Sequence, residues 1–455
     1  MVFSGTPFLF FYLPIVLAVY YLTPLRFRNG VLLVFNLIFY GWGEPVYLWI
    51  MLLTIGINHG AGMLIDRYRT RGKPILIVAV VLNLGLLFFF KYWNMAAGIL
   101  PMLPNLDVAL PIGISFYTFQ AMSYTIDVYR NDTPVQRSPA AFATFVTLFP
   151  QLIAGPIVRY KDLADQIDRR EHTSAMFAAG VQSFVVGLCK KVLLGNNLGL
   201  LWEFYRDLPK GELTTAGAWL GIVAFTLQIY FDFSGYSDMA VGLGRMLGFE
   251  FLPNFNYPYI AKSATEFWRR WHMSLGTWFR DYVYVPLGGN QAGKIRLCMN
   301  LLLTWGLTGL WHGASWNFLL WGLYFGLLLI AEKLFLGKVL KAAPPVLAHL
   351  YTLFAVAISW VLFAVEDISA MLRYLTALFV SEHWSAPQDG YMLRSYAIML
   401  MLAIVAATPL GAGLQRRLPE TLRQPVTAVL MLAGLALSTV YIVDAAYNPF
   451  LYFRF

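Results

Sequence analysis

The sequence has few charged residues and very little cysteine. Asp, Glu, Lys and Arg make up 13% of its 455 residues, whereas hydrophobic residues make up 59%. Soluble domains carry charge at about a quarter of their positions, so this composition excludes an ordinary soluble protein. The two cysteines, Cys189 and Cys298, lie in apolar stretches, which excludes a disulfide framework and a cysteine-based zinc site. With a mean hydropathy of +0.61, the composition predicts a polytopic membrane protein.

Several short catalytic motifs are also missing. The chain contains no G-x-S-x-G, no H-E-x-x-H, no Walker A motif, no G-x-G-x-x-G, and no His followed five residues later by Asp. Their absence disfavours nucleophile-elbow hydrolases, zinc proteases, ATP or dinucleotide chemistry and soluble His/Asp acyltransferases. We expect no metal site. A histidine acting as a base without a protein nucleophile remains open.

Apolar segments separated by Pro, Gly or charged residues predict an all-α protein with about 11–12 transmembrane helices. The run from Phe8 to Tyr21 follows no basic residue, so we expect a retained first span rather than a signal peptide. Some segments are short, which is typical of re-entrant helices, and 141–158 is the best candidate for one. The predicted spans are 8–22, 31–43, 45–65, 74–92, 111–126, 174–200, 213–233, 297–311, 316–334, 347–365, 392–412 and 425–443.

The net charge of +9 indicates membrane orientation rather than a nucleic-acid partner. With these spans, most Lys and Arg residues fall on one side, which the positive-inside rule assigns to the cytoplasm. Both termini are then outside, and the segment 262–296 is cytoplasmic. No repeat or long linker divides the chain, so 1–455 is predicted to be a single domain.

The segment 230–290 mixes charges, aromatics and glycines. Ser263 and Glu266 have capping-box spacing and predict the start of an amphipathic interfacial helix with an aromatic face reaching Tyr282. His272 falls at the boundary of its two faces. The residues alone favour an interfacial histidine with a wet tip, although it could point into a cavity mouth.

The segment 309–326 places His312 where the apolar stretch 297–334 turns. An ionisable side chain inside a membrane segment is costly, and His is the usual base near neutral pH, which makes His312 a catalytic candidate. A core histidine bonded to a carbonyl, or one at the outer interface, is an equally good interpretation. Asp232 and Asp238 are weaker candidates, which we expect to be helix-end carboxylates satisfied by backbone N–H groups.

Motifs spread along the chain resemble the membrane-bound O-acyltransferase family, and most closely its bacterial branch that includes the alginate O-acetylation protein. The matching sequences include LPIGISFYTFQAMSYTIDVYR, FPQLIAGPIVRYKDLADQ, EFWRRWHMSLGTWFRDYVYVPLGGN and LWHGASWN. The matching segments are 1–15, 110–130, 149–166, 230–244, 266–290, 310–317 and 447–455.

The resemblance implies a ring of helices around a transmembrane tunnel. It also implies that His312 is the essential catalytic residue and His272 the second family histidine. The implied donor is acetyl-CoA from the cytoplasm, used as a substrate, with no bound cofactor. Arg269, Arg270 and Arg280 lie on the basic inner surface and are weak candidates for binding its phosphates.

The implied location is the bacterial inner membrane, among lipid. The implied partners are a periplasmic acetyltransferase and a polysaccharide biosynthesis and export complex, with alginate as the first candidate polymer. Acetylation of cellulose or peptidoglycan by the same mechanism stays open. A polysaccharide transporter or a scaffold subunit of a secretion machine is the alternative from another class.

Overall fold

A computed structural model describes residues 1–153, 155–291 and 293–444, and the terminal motif 447–455 lies outside these ranges. Over the described residues the protein is built from helices and their connections, without a strand. The prediction of an all-α polytopic membrane protein is therefore confirmed. The ring around a tunnel stays a prediction.

Within those ranges, eight helical runs are long and apolar enough to cross a membrane, fewer than the 11–12 predicted. The difference comes from segments that are too short or too polar to qualify. Arg28–Gly43 and Ile114–Arg130 have only 16 and 17 residues, and Gly293–His312 carries buried Asn300 and two buried threonines. Phe8–Leu22 is a shorter apolar helix. The eight runs are Leu48–Arg67, Arg69–Ile99, Ser174–Arg206, Thr215–Met246, Trp316–Ala342, Pro345–Ala364, Pro387–Ala406 and Glu420–Asp444.

The chain divides into two compact units, and the prediction of a single domain is not tested by this division. The first unit comprises 1–185 and 236–252. Here the predicted re-entrant segment 141–158 overlaps the helix Pro139–Thr147 and contains the buried helix Phe149–Leu152, and its re-entrant course stays a prediction. The other helices wholly within this unit are Phe8–Tyr12, Leu13–Leu22, Leu25–Phe27, Arg28–Gly43, Leu48–Arg67, Arg69–Arg71, Gly72–Leu87, Phe88–Tyr92, Trp93–Ile99, Ile114–Arg130 and Tyr160–Asp168.

The second unit comprises 186–235 and 253–455 and holds both candidate histidines. The helices Ser174–Cys189 and Thr215–Met246 contribute residues to each unit. The helices wholly within the second unit are Lys190–Gly195, Asn196–Arg206, Pro258–Ile260, Ala264–Trp268, Met273–Phe279, Arg280–Tyr284, Gly293–His312, Trp316–Ala331, Glu332–Leu336, Gly337–Ala342, Pro345–Ala364, Ile368–Ala377, Pro387–Ala406, Leu410–Arg417 and Glu420–Asp444.

An ion pair lies inside the second unit. The Lys191 ammonium lies 3.2 Å from the Asp232 carboxylate, and the two side chains are only 1% and 5% exposed. Lys191 also donates to Asn196 at 2.7 Å. The expectation that Asp232 is a helix-end carboxylate was wrong, because it lies in the interior of Thr215–Met246. Two buried charges stabilise this packing only while both are present.

Candidate active site

The chain folds sharply around His272. Ser263 begins a helix as expected, since its hydroxyl accepts from the Glu266 N–H at 3.0 Å. That helix ends at Trp268, and a second helix begins at Met273. Between them His272 adopts a left-handed backbone with φ of +43°. The predicted continuous helix to Tyr282 was therefore wrong.

The physical reason for the break is Asn254. Its backbone oxygen accepts from the Met273 N–H at 3.0 Å, and its side-chain oxygen accepts from the Ser274 N–H at 3.1 Å. These two N–H groups therefore bond to Asn254 instead of to the preceding helical turn. The aromatic face packs against protein: Trp271, Trp278 and Phe279 are all buried.

His272 is buried within this turn. Its side chain is 1% exposed, so the expected wet tip was wrong. Its Nδ1 lies 3.2 Å from the Asn254 side-chain oxygen. The ring packs edge-on against Phe233 at 4.7 Å. Burial lowers the pKa of His272 to about 3, which keeps the imidazole neutral near pH 7.

His312 is the last residue of the helix Gly293–His312 and is 3% exposed. The next helix begins at Trp316, and glycine allows the two to pack closely. A methyl group on Gly309 would overlap the Phe318 backbone oxygen, and one on Gly322 would overlap the backbone oxygen of the facing helix. Small residues permit such close helix approach in membranes. This hairpin places His312 at its turn, as the sequence predicts.

Aromatic rings surround His312. The ring centroids of Trp311, Trp321 and Phe363 lie 5.0, 5.0 and 5.4 Å from that of His312. Such surroundings exclude water and strengthen any electrostatic interaction formed there. The side chain of His312 is buried among these rings, and its interpretation as a residue at the outer interface stays open.

The two histidines lie together, and we call them the histidine pair. Their ring centroids are 6.5 Å apart, with the rings inclined at 65°. This separation places the two imidazole rings in one site. The resemblance implies roles for both residues, and the structure brings them to one place although they are 40 residues apart in the sequence.

A small cavity of about 150 Å³ adjoins the pair, with His272 in its wall. Thr304 and Thr308 also line it, and they lie eight and four residues before His312 on the same helix face. Arg280 and Tyr284 lie at the same cavity. We call this space the histidine cavity.

A larger pocket of about 740 Å³ lies beside it, and we call it the basic pocket. Its acidic side chains already have hydrogen-bond donors: Glu266 accepts from Arg270 at 3.0 Å, and Glu332 accepts from the Thr265 N–H at 2.9 Å. The lining cations are Lys262, Arg269, Lys333, Lys338 and Lys341.

Residues that line the two spaces are neighbours at two points. Trp268 lines the histidine cavity, and its neighbour Arg269 lines the basic pocket. Tyr284 lines the histidine cavity and donates at 2.8 Å to Asn290, a residue of the basic pocket. The Lys333 ammonium contacts both Asn290 and Tyr284. The two spaces are therefore bounded in part by residues that contact each other.

The three predicted arginines do not share one place. Arg269 lines the basic pocket, whereas Arg280 pairs with Asp281 at 2.7 Å beside the histidine cavity. Arg270 donates to Glu266 and to a backbone oxygen, and it lines neither space. Sequence analysis missed Lys338 and Lys341. These two lysines are three residues apart and share one helical face, a signal that helical periodicity could have revealed.

Comparisons with known proteins identify the family of this chain. Residues 34–374 match the model of the membrane-bound O-acyltransferase family. A probable alginate O-acetylase from Azotobacter vinelandii is 38% identical over 100% of both chains. One from Pseudomonas aeruginosa is 44% identical over 84% of this chain and 76% of its own. The peptidoglycan O-acetyltransferase of Helicobacter pylori is 29% identical over 90% of this chain and 86% of its own.

These similarities, together with the apolar helices, identify a multi-pass membrane enzyme of the O-acetyltransferase class. The chain belongs to the membrane-bound O-acyltransferase family.

Proposed function

We propose that the protein transfers an acetyl group from acetyl-CoA, across the bacterial inner membrane, for O-acetylation of an exported polysaccharide. The observation that carries this proposal is the buried histidine pair beside a cavity that adjoins a basic pocket. A buried base next to a space for an acyl group suits transfer to a hydroxyl. The basic pocket suits a phosphorylated carrier of that acyl group.

In the proposed reaction His312 removes the proton of the acceptor hydroxyl. The hydroxyl oxygen attacks the thioester carbonyl, a C–O bond forms, and the C–S bond breaks. The proton held by His312 passes to the departing sulfur, so that acetyl ester and free CoA thiol are produced. A positioned histidine contributes roughly 10²–10⁴-fold to such a step. The dry aromatic surroundings limit hydrolysis of the thioester.

The donor is proposed to lie across both spaces. The phosphates of CoA occupy the basic pocket among Arg269, Lys333, Lys338 and Lys341, and the acetyl thioester reaches the histidine cavity past Tyr284. Arg280 lies beside the thioester end, and Arg270 supports the loop instead of touching the donor. An anionic ligand in the pocket gains favourable Coulomb energy because five cationic side chains outnumber two carboxylates in the lining.

Alginate is the first candidate polymer because relatives described as probable alginate O-acetylases cover all or most of the chain. Peptidoglycan is the second, since a more distant relative acts on it. Cellulose stays a third candidate by mechanism. The direct acceptor is proposed to be a periplasmic acetyltransferase that works with the polysaccharide export complex.

The test reconstitutes the purified protein in lipid vesicles with acetyl-labelled CoA on one side and an oligosaccharide acceptor, with or without the partner, on the other. We expect label in the acceptor and free CoA thiol on the donor side, in equal amounts. Movement of unmodified polysaccharide without thiol release would indicate a transporter. Complex assembly without either reaction would indicate a scaffold.

A further inference from the structure

Asn254 makes several hydrogen-bonding contacts around His272. It is 2% exposed, and its side-chain oxygen lies within hydrogen-bonding distance of three groups. These are the Ser274 N–H at 3.1 Å, the Ser274 hydroxyl at 2.9 Å and His272 Nδ1 at 3.2 Å. Its backbone oxygen also holds the Met273 N–H. A single residue therefore fixes both the turn and the ring.

The contacts determine which atom of the Asn254 amide faces His272. A backbone N–H can only donate, so the atom that Ser274 N–H contacts must be the amide oxygen. The same oxygen faces Nδ1 of His272, and an amide oxygen can only accept. Nδ1 therefore carries the hydrogen, and in a neutral imidazole Nε2 is then the acceptor.

We propose that Asn254 is a positioning residue that holds His272 as the Nδ1–H tautomer, so that Nε2 accepts a hydrogen bond during acyl transfer. The bond comes from the acceptor hydroxyl or from His312, whose ring lies 6.5 Å away between centroids. This inference rests on the function proposed above. It assigns His272 the part of an acceptor that orients the reacting hydroxyl or the base.

The backbone of His272 supports this role. A left-handed conformation is uncommon for a residue other than glycine, and it persists where surrounding contacts enforce it. Asn254 supplies such contacts to His272 and to the two residues that follow it. Strained residues of this kind cluster at active sites, where they fix a side chain in one direction.

The surroundings of His272 allow its charge to be controlled through Asn254. Phe233 and Trp311 pack on the ring, and neither is charged near neutral pH. The titratable or charged groups nearby are His312 at 6.5 Å, and Arg280 and Tyr284 in the wall of the histidine cavity. Burial depresses the pKa of His272, which keeps Nε2 available as an acceptor across the physiological range.

The test compares Asn254→Asp with Asn254→Ala. Aspartate keeps the acceptor oxygens but places a negative charge on Nδ1–H, which raises the pKa of His272 by roughly one to three units. Below its pKa the His272 ring is protonated, and Nε2 can then no longer accept a hydrogen bond. Transfer by Asn254→Asp should therefore be lost at low pH and recovered at high pH. With the pKa of His272 raised from about 3 to about 4–6, we expect up to about tenfold less transfer at pH 5 than at pH 8, relative to wild type.

Asn254→Ala should lower kcat about tenfold or more at every pH, because the ring is no longer oriented. Its KM for acetyl-CoA should stay near that of wild type. The matched controls are Asn256→Asp and Asn256→Ala, at an exposed asparagine two residues later. A wild-type pH profile for Asn254→Asp, or loss of its transfer at all pH values, would overturn the proposal.

A spectroscopic readout separates this proposal from the proposed function. Protein labelled with ¹⁵N-histidine is studied in lipid, and the His272 signal is assigned by its loss in His272→Gln. We expect a neutral Nδ1–H ring at pH 5 in wild type and a partly or largely protonated ring at that pH in Asn254→Asp. An Nε2–H ring in wild type refutes the positioning role even if transfer occurs. Absent transfer in wild type with the expected spectrum refutes only the proposed function.

Discussion

Replacing Lys338 and Lys341 together with glutamine removes two positive charges from the basic pocket and leaves the histidine pair untouched. Both side chains are exposed, so water screens their attraction to a phosphate. Exposed ion pairs contribute about 0.2–1 kcal/mol each, and 1.4 kcal/mol corresponds to a tenfold change in affinity. The double variant should therefore weaken acetyl-CoA binding by about 2- to 30-fold, while kcat at saturating donor stays near that of wild type.

The assay is calorimetric binding of acetyl-CoA at low and high salt, with initial rates of transfer measured alongside. Acetyl-pantetheine is the matched donor, because it has the thioester but none of the phosphates. The variant should bind it as wild type does. Arg416→Gln with Arg417→Gln is the matched protein control, since it removes two exposed charges outside the pocket.

The following results would refute this reasoning about the basic pocket. One is an equal loss of acetyl-CoA affinity in the arginine control, which would indicate a diffuse surface effect. The other is a lowered kcat with unchanged donor affinity, which would place the lysines in the chemical step. Loss of affinity for acetyl-pantetheine would likewise mean that the phosphates are not what the pocket binds.

Three further predictions concern the scaffold and its orientation. Asp232→Leu should lower the free energy of unfolding by about 3–5 kcal/mol, because the buried Lys191 ammonium then lacks its carboxylate partner. Adding Lys191→Met to this variant should restore most of the lost stability. Thermal unfolding in detergent measures the stability of the single and the double variant. Gly309→Val should abolish the folded hairpin and yield little monodisperse protein on size-exclusion chromatography, whereas wild-type yield would contradict the close packing. Single cysteines at Thr70 and Ser385, in a background without native cysteine, should be labelled from opposite sides of the membrane; labelling from one side would contradict the predicted topology.

Composition and hydropathy were sufficient to predict an all-α membrane protein, because they report directly how much apolar surface the chain must cover. Hydropathy predicted 11–12 spans, and eight helical runs qualify as candidate spans among the described residues. Gly293–His312 shows why: Asn300, Thr304 and Thr308 are buried within protein contacts, and a hydropathy count cannot distinguish those from lipid contacts. The sequence also placed His312 at the turn between two helices. This was possible because the ionisable residue and the glycines that indicate the turn lie within one short segment.

His272 was harder to place because its position depends on distant contacts. The periodicity of 263–282 favours one helix, and the break arises from Asn254, which no local pattern connects with Ser274. The basic pocket is similar, since Arg269 and Lys338 meet only after folding. Local sequence signals thus predicted helices, whereas the cavity could not be predicted because it is formed by residues that are distant in the sequence.

The central claim is that His312 removes the proton of the acceptor during acetyl transfer. The measurement is made on purified His312→Gln protein, with acetyl transfer and acetyl-CoA binding determined separately and His383→Gln, at an exposed histidine, as the control. We predict donor binding within twofold of wild type and a loss of transfer of at least ~10²-fold, with the control unchanged. Near-normal transfer by His312→Gln would contradict the claim.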